Sequence, residues 1–446
     1  MKRVLAVITA LALALSGAAL AGGEDLAAAP KAVIEQLYQG EYDPVFNQST
    51  ADVQAGLGSA ETLAAMWVQL SQAFGPFQGI ISATAREQSG MTVSEVVCAH
   101  EFADVTFSVV LMSSGLLAGL TVAAVVPKAA ESTADQTAFI AEPVTLRTGK
   151  ADETQGLLTL PNGDDPFPAV IMMQGSGPSD MNETAFGISP FRDLAEGLAQ
   201  AGVASIRYDK YTYAHADLLQ ADPALLARFT IEEEYVPDAR EALMLLQADA
   251  RIGDIYLLGH SLGGMVVPRV MRTLGADSFA GGIILEGSPL PLWEIQHHQN
   301  LALISKMAQS EQESAITLIA GEAAKVELLP SLSDEELQNI LLFGISAYYQ
   351  KDQMSSDAAQ MAVELQKPLF IAQGGKDWQV TPADGMDAWQ EALGDRLAAT
   401  YKPYPDMNHM LCEMEGEPAG DTSDYLPGSL VSQTLVGDIA AWILEQ

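Results

Sequence analysis

The sequence predicts an α/β protein: a mostly parallel sheet covered by helices on both faces, interrupted by a helical insertion, and preceded by a smaller α+β domain. Three observations predict it. From residue 143 onward, apolar strand-like runs alternate with helix-like ones, which calls for a parallel sheet with crossover helices. Within that alternation an apolar strand, Ile255-Tyr256-Leu257-Leu258, enters the tight turn Gly259-His260-Ser261-Leu262-Gly263 and leaves as a helix from Met265. Ahead of it, between 25 and 127, two helical stretches precede a run of strands. At 446 residues the chain has room for two domains.

Taken in order, the chain starts with Lys2 and Arg3, an apolar run over 4–15, and Ala19-Leu20-Ala21. A basic start, a short apolar core and small residues at a cleavage site predict a secretory signal over 1–21, cut after Ala21 and followed by export or periplasmic release. The apolar run is too short to span a membrane comfortably, so no integral membrane segment is expected in the mature chain. Residues 29–38 and 61–74 have helical spacing, and Gly75-Pro76 stops the second. Strands are expected at 80–81, 95–99, 105–112 and 116–126, with Ser113-Ser114-Gly115 as a hairpin turn. The polar, alanine-rich stretch 128–142 reads as a linker.

The second domain, 143–446, opens with strands at 144–147 and 156–160. Further strands follow at 168–173, 203–207, 255–258, 281–285, 369–372 and 399–404, with helices at 191–201, 232–248 and 431–444 between or after them. At about 289–366 the alternation breaks into a helical insertion rich in Leu, Ala, Met and Gln, with helices expected at 301–309, 311–326 and 334–342. An insertion just before the next strand is placed to act as a lid, with Leu301, Leu303, Ile304, Leu341 and Leu342 available to face a pocket.

Composition narrows the partners. With 48% hydrophobic and 18% charged residues the chain can bury a large core. A net charge of −36, from 22 basic and 58 acidic residues, disfavours nucleic acid and anionic membrane surfaces. The two cysteines, Cys98 and Cys412, either pair in an oxidising compartment or stay as separate buried thiols. No His/Cys cluster has zinc spacing, so no metal site and no cofactor are expected.

The chemistry centres on Ser261. A serine in a G-x-S-x-G turn between strand and helix has an exposed Oγ held in strained backbone. It is a weak nucleophile and needs a base within reach, itself oriented by a carboxylate. In the α/β-hydrolase fold these follow in the order Ser, acid, His. Asp377 stands in the loop after the strand at 369–372, and His409 in the loop after the strand at 399–404. Open α/β sheets place their sites at such strand ends. Other candidates fit less well. His260 lies in the turn itself, with its side chain directed away from that of Ser261. His297 and His298 are on the insertion, His100 is in the first domain, and His215 precedes the serine. Asp384 looks like a helix start, and Asp406 is too near His409 in sequence. An oxyanion needs two N–H donors. Leu262, next to the nucleophile, supplies one, and Ser176 in the loop Gln174-Gly175-Ser176-Gly177-Pro178 the other.

Four stretches carry a family resemblance: Met173-Gln174-Gly175-Ser176-Gly177-Pro178, Arg207-Tyr208-Asp209-Lys210, Gly259-His260-Ser261-Leu262-Gly263-Gly264 and Gly375-Lys376-Asp377. With them the chain resembles secreted α/β-hydrolases, serine esterases that carry an N-terminal DUF3887 domain of the NTF2-like type. Phe74-Gly75-Pro76-Phe77 and Val96-Val97-Cys98 carry the likeness of the first domain. The resemblance implies hydrolysis of a small-molecule carboxylic ester through an acyl-enzyme. Tyr211 departs from the pattern, since such proteins often carry Arg-Gly after the lysine. An acyltransferase or peptidase of the same fold is the alternative within this chemistry. A non-catalytic binding protein built on the same shell is the alternative outside it. Substrate, acyl length and oligomeric state are not legible.

Overall fold

The computed structural model describes residues 26–128, 132, 134–163, 166–307 and 309–446. The expected signal, 1–21, lies outside the described residues, as does part of the expected linker. The chain divides into two compact units, one up to Ala130 with Ala185–Gly187, the other Glu131–Thr184 with Ile188–Gln446.

The first unit is an antiparallel meander: β1 (Phe77–Gln88), β2 (Met91–His100), β3 (Ala103–Met112) and β4 (Leu117–Pro127), in that spatial order. Ser89 and Gly90 join β1 to β2 with φ of 53° and 77°, the left-handed pair that matches strand twist in a two-residue hairpin. Alternate residues of β3, Val105, Phe107, Val109 and Leu111, are buried. They pack with Ile34 and Leu37 of the helix Ala28–Tyr38 and with Leu63 and Trp67 of the helix Ala60–Phe74. Ser59 caps the latter helix, accepting Thr62 N–H at 3.2 Å. Only Ile80-Ile81 marks β1 in the sequence, because most of this strand faces water and its side chains are mixed. The short helices Tyr42–Asn47 and Ala51–Leu57 carry no apolar period long enough to read.

The second unit is an eight-stranded sheet. Its strands are β5 (Phe139–Leu146), β6 (Thr154–Pro161), β7 (Phe167–Met173), β8 (Ala204–Tyr208), β9 (Ile252–His260), β10 (Gly281–Leu285), β13 (Leu369–Gly374) and β14 (Ala399–Tyr404). The order is β14-β13-β10-β9-β7-β8-β6-β5. From β8 to β14 every pairing is parallel, and β5 and β6 are added antiparallel. β5 begins at Phe139, so the last residues of the stretch expected as linker are strand.

The central strands read as continuous apolar runs because both faces are covered. On β7, Ala169, Ile171 and Met173 face a core with the helices Ile231–Ala248 and Leu262–Leu274. Val170 and Met172 face the other, with Pro190–Gln200 and Gln433–Leu444. The insertion between β10 and β13 is more broken than its composition suggests. It contains the helices Leu292–Ser305, Gln309–Ala324, Asp334–Gln338, Ala347–Met354 and Ala358–Leu365. A small hairpin joins β11 (Leu341–Leu342) to β12 (Ile345–Ser346). The helix expected at 334–342 stops at Gln338, and Leu341-Leu342 are instead strand, paired with Ile345-Ser346 across a turn at Phe343-Gly344 with φ of 51° and 84°.

Cys98 and Cys412 are free and buried, and burial pushes both thiols up to about 12. Among the described residues no helix is long and apolar enough to cross a membrane, and no group of His, Cys, Asp and Glu could hold a metal ion.

Candidate active site

β9 ends in the turn that carries Ser261. This residue sits at φ 53°, ψ −119°, a backbone region that costs a non-glycine residue about 1–3 kcal/mol. The flanking glycines are required by space. A Cβ on Gly259 would lie 2.1 Å from the Gly263 carbonyl oxygen, and one on Gly263 would lie 2.2 Å from that of Met173. Ser261 N–H donates to the Leu285 carbonyl at 2.8 Å, which ties the turn to the end of β10.

Asp377 follows β13 and is 4% exposed. Its Oδ1 accepts the N–H groups of Gln379 and Val380 at 2.7 and 2.9 Å, and its Oδ2 accepts His409 Nδ1 at 2.7 Å. His409 follows β14 in a turn fixed by Asn408, whose Oδ1 accepts Met410 N–H at 3.0 Å and Cys412 N–H at 3.2 Å. The carboxylate assigns the proton to Nδ1 and leaves Nε2 as the basic nitrogen. The structure thus joins the acid and the histidine that the sequence singles out. It makes no hydrogen bond between Ser261 Oγ and His409 Nε2 among the described residues. Such bonds commonly tighten only with substrate in place.

Ser176 follows β7 and is exposed, while Leu262 opens the helix Leu262–Leu274 with its side chain buried. Neither backbone N–H has a partner among the described residues. The first N–H groups of a helix have none within it. Gly175, beside Ser176, lies so close to the nucleophile that a Cβ there would sit 3.1 Å from Ser261 Cβ.

Three buried side chains shape this site through contacts that a sequence reading does not reach. His260 Nε2 donates to the His409 carbonyl at 2.8 Å, and its Nδ1 forms an ion pair with Glu183 Oε1 at 3.0 Å. Burial opposes the imidazolium, but the Glu183 carboxylate and the His409 carbonyl outweigh it, so the ring titrates above its ordinary value. Glu183 Oε1 also accepts Gly175 N–H at 2.6 Å. The third is Glu286, fully buried at the end of β10. Its oxygens accept Gly374 N–H at 2.7 Å and Gln373 Nε2 at 2.5 Å, and its carboxyl meets that of Asp377. Burial first, then the Asp377 charge, raise it well above the usual carboxylate range. The available signal was a glutamate directly after the apolar run Ile283-Ile284-Leu285.

The insertion reaches the same loops. Gln299 Nε2 donates to the Gln379 carbonyl at 2.9 Å, and His298 Nδ1 pairs with Asp384 Oδ1 at 3.0 Å. A cavity of about 750 Å³ within the insertion is lined by Leu318, Ile319, Leu328, Leu329, Leu341 and Phe343. Of the leucines and isoleucine expected to face a pocket, Leu341 lines this cavity, Leu342 and Ile304 are buried, Leu301 is half-buried and Leu303 is exposed. Tyr211, where the resemblance breaks, starts a short helix and stacks under Arg147, whose guanidinium carbon is 4.7 Å from the ring centroid.

Comparison with known proteins adds the following. The family described as serine aminopeptidase, S33 (Hydrolase_4), matches residues 187–417. The family DUF3887, a protein of unknown function, matches residues 31–120. Esterase EstD of Thermotoga maritima is 28% identical over 415 residues, 92% of this chain and 94% of that protein. Among solved structures, Est1E from Butyrivibrio proteoclasticus aligns at a TM-score of 0.43 with 14% identity, covering 68% of this chain and 99% of that one. A dipeptidyl aminopeptidase IV homologue from Bacteroides ovatus aligns at 0.45 with 12% identity, covering 82% of this chain and 43% of that one.

Proposed function

Because the chain belongs to the hydrolase family described as serine aminopeptidase, S33, we propose that it is a secreted serine hydrolase that cleaves carboxylic esters through an acyl-enzyme. Ser261 Oγ attacks the ester carbonyl and gives its proton to His409 Nε2. Asp377 holds the imidazole and stabilises the imidazolium. The N–H groups of Ser176 and Leu262 receive the oxyanion. Collapse of the tetrahedral intermediate expels the alcohol, which takes the proton from His409. Water, deprotonated by the same nitrogen, then attacks the acyl group, and the carboxylic acid leaves with Ser261 restored.

The observation that carries this reading is the 2.7 Å bond from His409 Nδ1 to Asp377 Oδ2, made by loops at the same sheet edge as the strained Ser261. The likeness to an esterase over nearly the full chain favours ester over amide substrates. The insertion at about 289–366 is read as a lid that selects the acyl group. The first domain, 25–127, is read as contributing no chemistry, and 1–21 as a signal removed after Ala21.

The test is a hydrolysis screen over esters of graded acyl length and matched amides, with Ser261→Ala as the blank, beside labelling by a fluorophosphonate. Turnover of esters and labelling, both lost in Ser261→Ala, are expected. Preferential turnover of amides would make the chain a peptidase. A chain that neither labels nor turns over would be a binding protein.

A further inference from the structure

The loop after β7 presents two successive carbonyls, and buried polar side chains meet both from one side. Tyr235 Oη donates to the Gln174 carbonyl at 3.0 Å, and Lys210 Nζ to the Gly175 carbonyl at 2.5 Å. An ammonium has three N–H bonds, and each here has a partner. Besides Gly175, they are Tyr235 Oη at 3.0 Å and Glu234 Oε1 at 2.8 Å. Glu234 in turn accepts Tyr349 Oη of the insertion at 2.5 Å through its other oxygen. From the opposite side, Gly175 N–H donates to Glu183 at 2.6 Å.

Lys210 is 1% exposed. A buried ion pair contributes little net stability over an apolar replacement of similar volume, so packing alone is a weak reason for this group. Peptide geometry supplies a stronger one. A trans peptide points its carbonyl and its N–H in opposite directions. With the Gly175 carbonyl drawn onto Lys210, the Ser176 N–H of that peptide faces the other way. Gly175 itself borders the nucleophile, since a Cβ on it would sit 3.1 Å from Ser261 Cβ. Glu183 already takes the preceding N–H, so the Ser176 N–H is the one left for a ligand.

We propose that Lys210, seated by Glu234 and Tyr235, is the positioning residue of the oxyanion hole: it sets the Gly175–Ser176 peptide with its N–H toward the reacting carbonyl. The inference rests on Ser176 as an oxyanion donor. A charge held on a carbonyl also polarises the peptide, which strengthens its N–H as a donor when the oxyanion forms. Tyr235 takes part as a hydroxyl. Burial first, then the Glu234 charge, keep its phenol well above the ordinary value.

The experiment compares Lys210→Met and Tyr235→Phe with the parent chain, using p-nitrophenyl acetate as substrate and phenylboronic acid as the tetrahedral analogue formed on Ser261. Lys210→Met should lower kcat by about tenfold to a hundredfold, with KM nearly constant. Boronate affinity should fall by the same factor as kcat/KM, since both report the tetrahedral species. Tyr235→Phe, which keeps one of the two grips, should lose about threefold to tenfold in both. The pH midpoint of kcat/KM should not move, because the His409–Asp377 pair is untouched. Lys210→Met strands the Glu234 carboxylate, so Lys210→Met/Glu234→Gln is measured beside it. Tyr235→Phe carries the test if neither folds. Unchanged kcat and boronate affinity in folded variants overturn the proposal, as does a loss confined to KM. Failure of the underlying reading looks different, since the parent chain then shows no turnover at all or keeps its activity in Ser261→Ala.

Discussion

Replacing Asp377 by Asn tests the acid of the proposed triad with almost no change of volume. Three donors converge on this carboxylate: the N–H groups of Gln379 and Val380 on Oδ1, and His409 Nδ1 on Oδ2. An asparagine has one acceptor oxygen. If that oxygen keeps the two backbone N–H groups, its NH2 faces His409, and the ring must hold its proton on Nε2. That tautomer cannot accept a proton from Ser261. If the amide flips, two buried N–H groups lose their acceptor, at about 1–3 kcal/mol each. The unproductive arrangement is therefore favoured by about 2–6 kcal/mol, which at about 1.4 kcal/mol per decade removes between about thirtyfold and about 10⁴-fold of kcat. Stopped-flow or steady-state hydrolysis of an activated ester, with Tm to confirm folding, measures it. A loss under tenfold would refute the assignment and point to Glu286, which follows the neighbouring strand β10 and lies near enough for the Asp377 charge to raise its pKa.

Gly175→Ala should fold, because only space constrains the residue. Its new Cβ would lie 3.1 Å from Ser261 Cβ, against a comfortable carbon contact of about 3.5–4.0 Å. The resulting shift should lower kcat/KM by about tenfold to a hundredfold with little change in Tm, and an unchanged rate would show that this loop does not set the site. For Glu286 the sign follows from its raised pKa. The folded chain holds a proton that the unfolded chain releases near 4.5, so its contribution is complete below that pH and is lost as pH rises through the folded value. Glu286→Gln stays neutral, so its stability relative to the parent should grow with rising pH in urea titrations. A gap independent of pH would show that this carboxyl is not held protonated. Leu318→Ala and Leu341→Ala, in the insertion cavity, should alter the ratio of rates on long and short acyl esters. A constant ratio would remove the insertion from substrate selection.

The parallel sheet, its covered faces and the small preceding domain were legible because each rests on a local pattern. Unbroken apolar strands need cover on both faces, and the motif around Ser261 combines a strand, a glycine-bounded turn and a helix in one short stretch. Asp377 and His409 could be named because chain order and strand ends restrict the choice. What stayed hidden depends on distant partners. Lys210 reads as an ordinary charged residue until the fold brings it to Gly175, and Glu183 reads as a loop acid until it meets His260 and the Gly175 N–H. Glu286 looks like a strand-end residue, and only the pairing of β10 with β13 sets it beside Asp377. The insertion misled for another reason. Its leucines and alanines have helical spacing, yet Leu341-Leu342 belong to a hairpin closed by Phe343-Gly344, a turn that depends on backbone angle rather than hydrophobic period.

The two free cysteines have an experimental consequence. Each unit holds a single thiol, Cys98 in the first and Cys412 in the second, and both are buried and protonated. Alkylating reagents attack thiolates that solvent can reach, so neither sulfur should react until its own surroundings open. Pulsed alkylation followed by peptide mapping would then time the unfolding of each unit separately, within one unmodified chain. No label need be introduced and no boundary cut. With no bridge to form, refolding from urea should also give the same yield in reducing and in oxidising buffer.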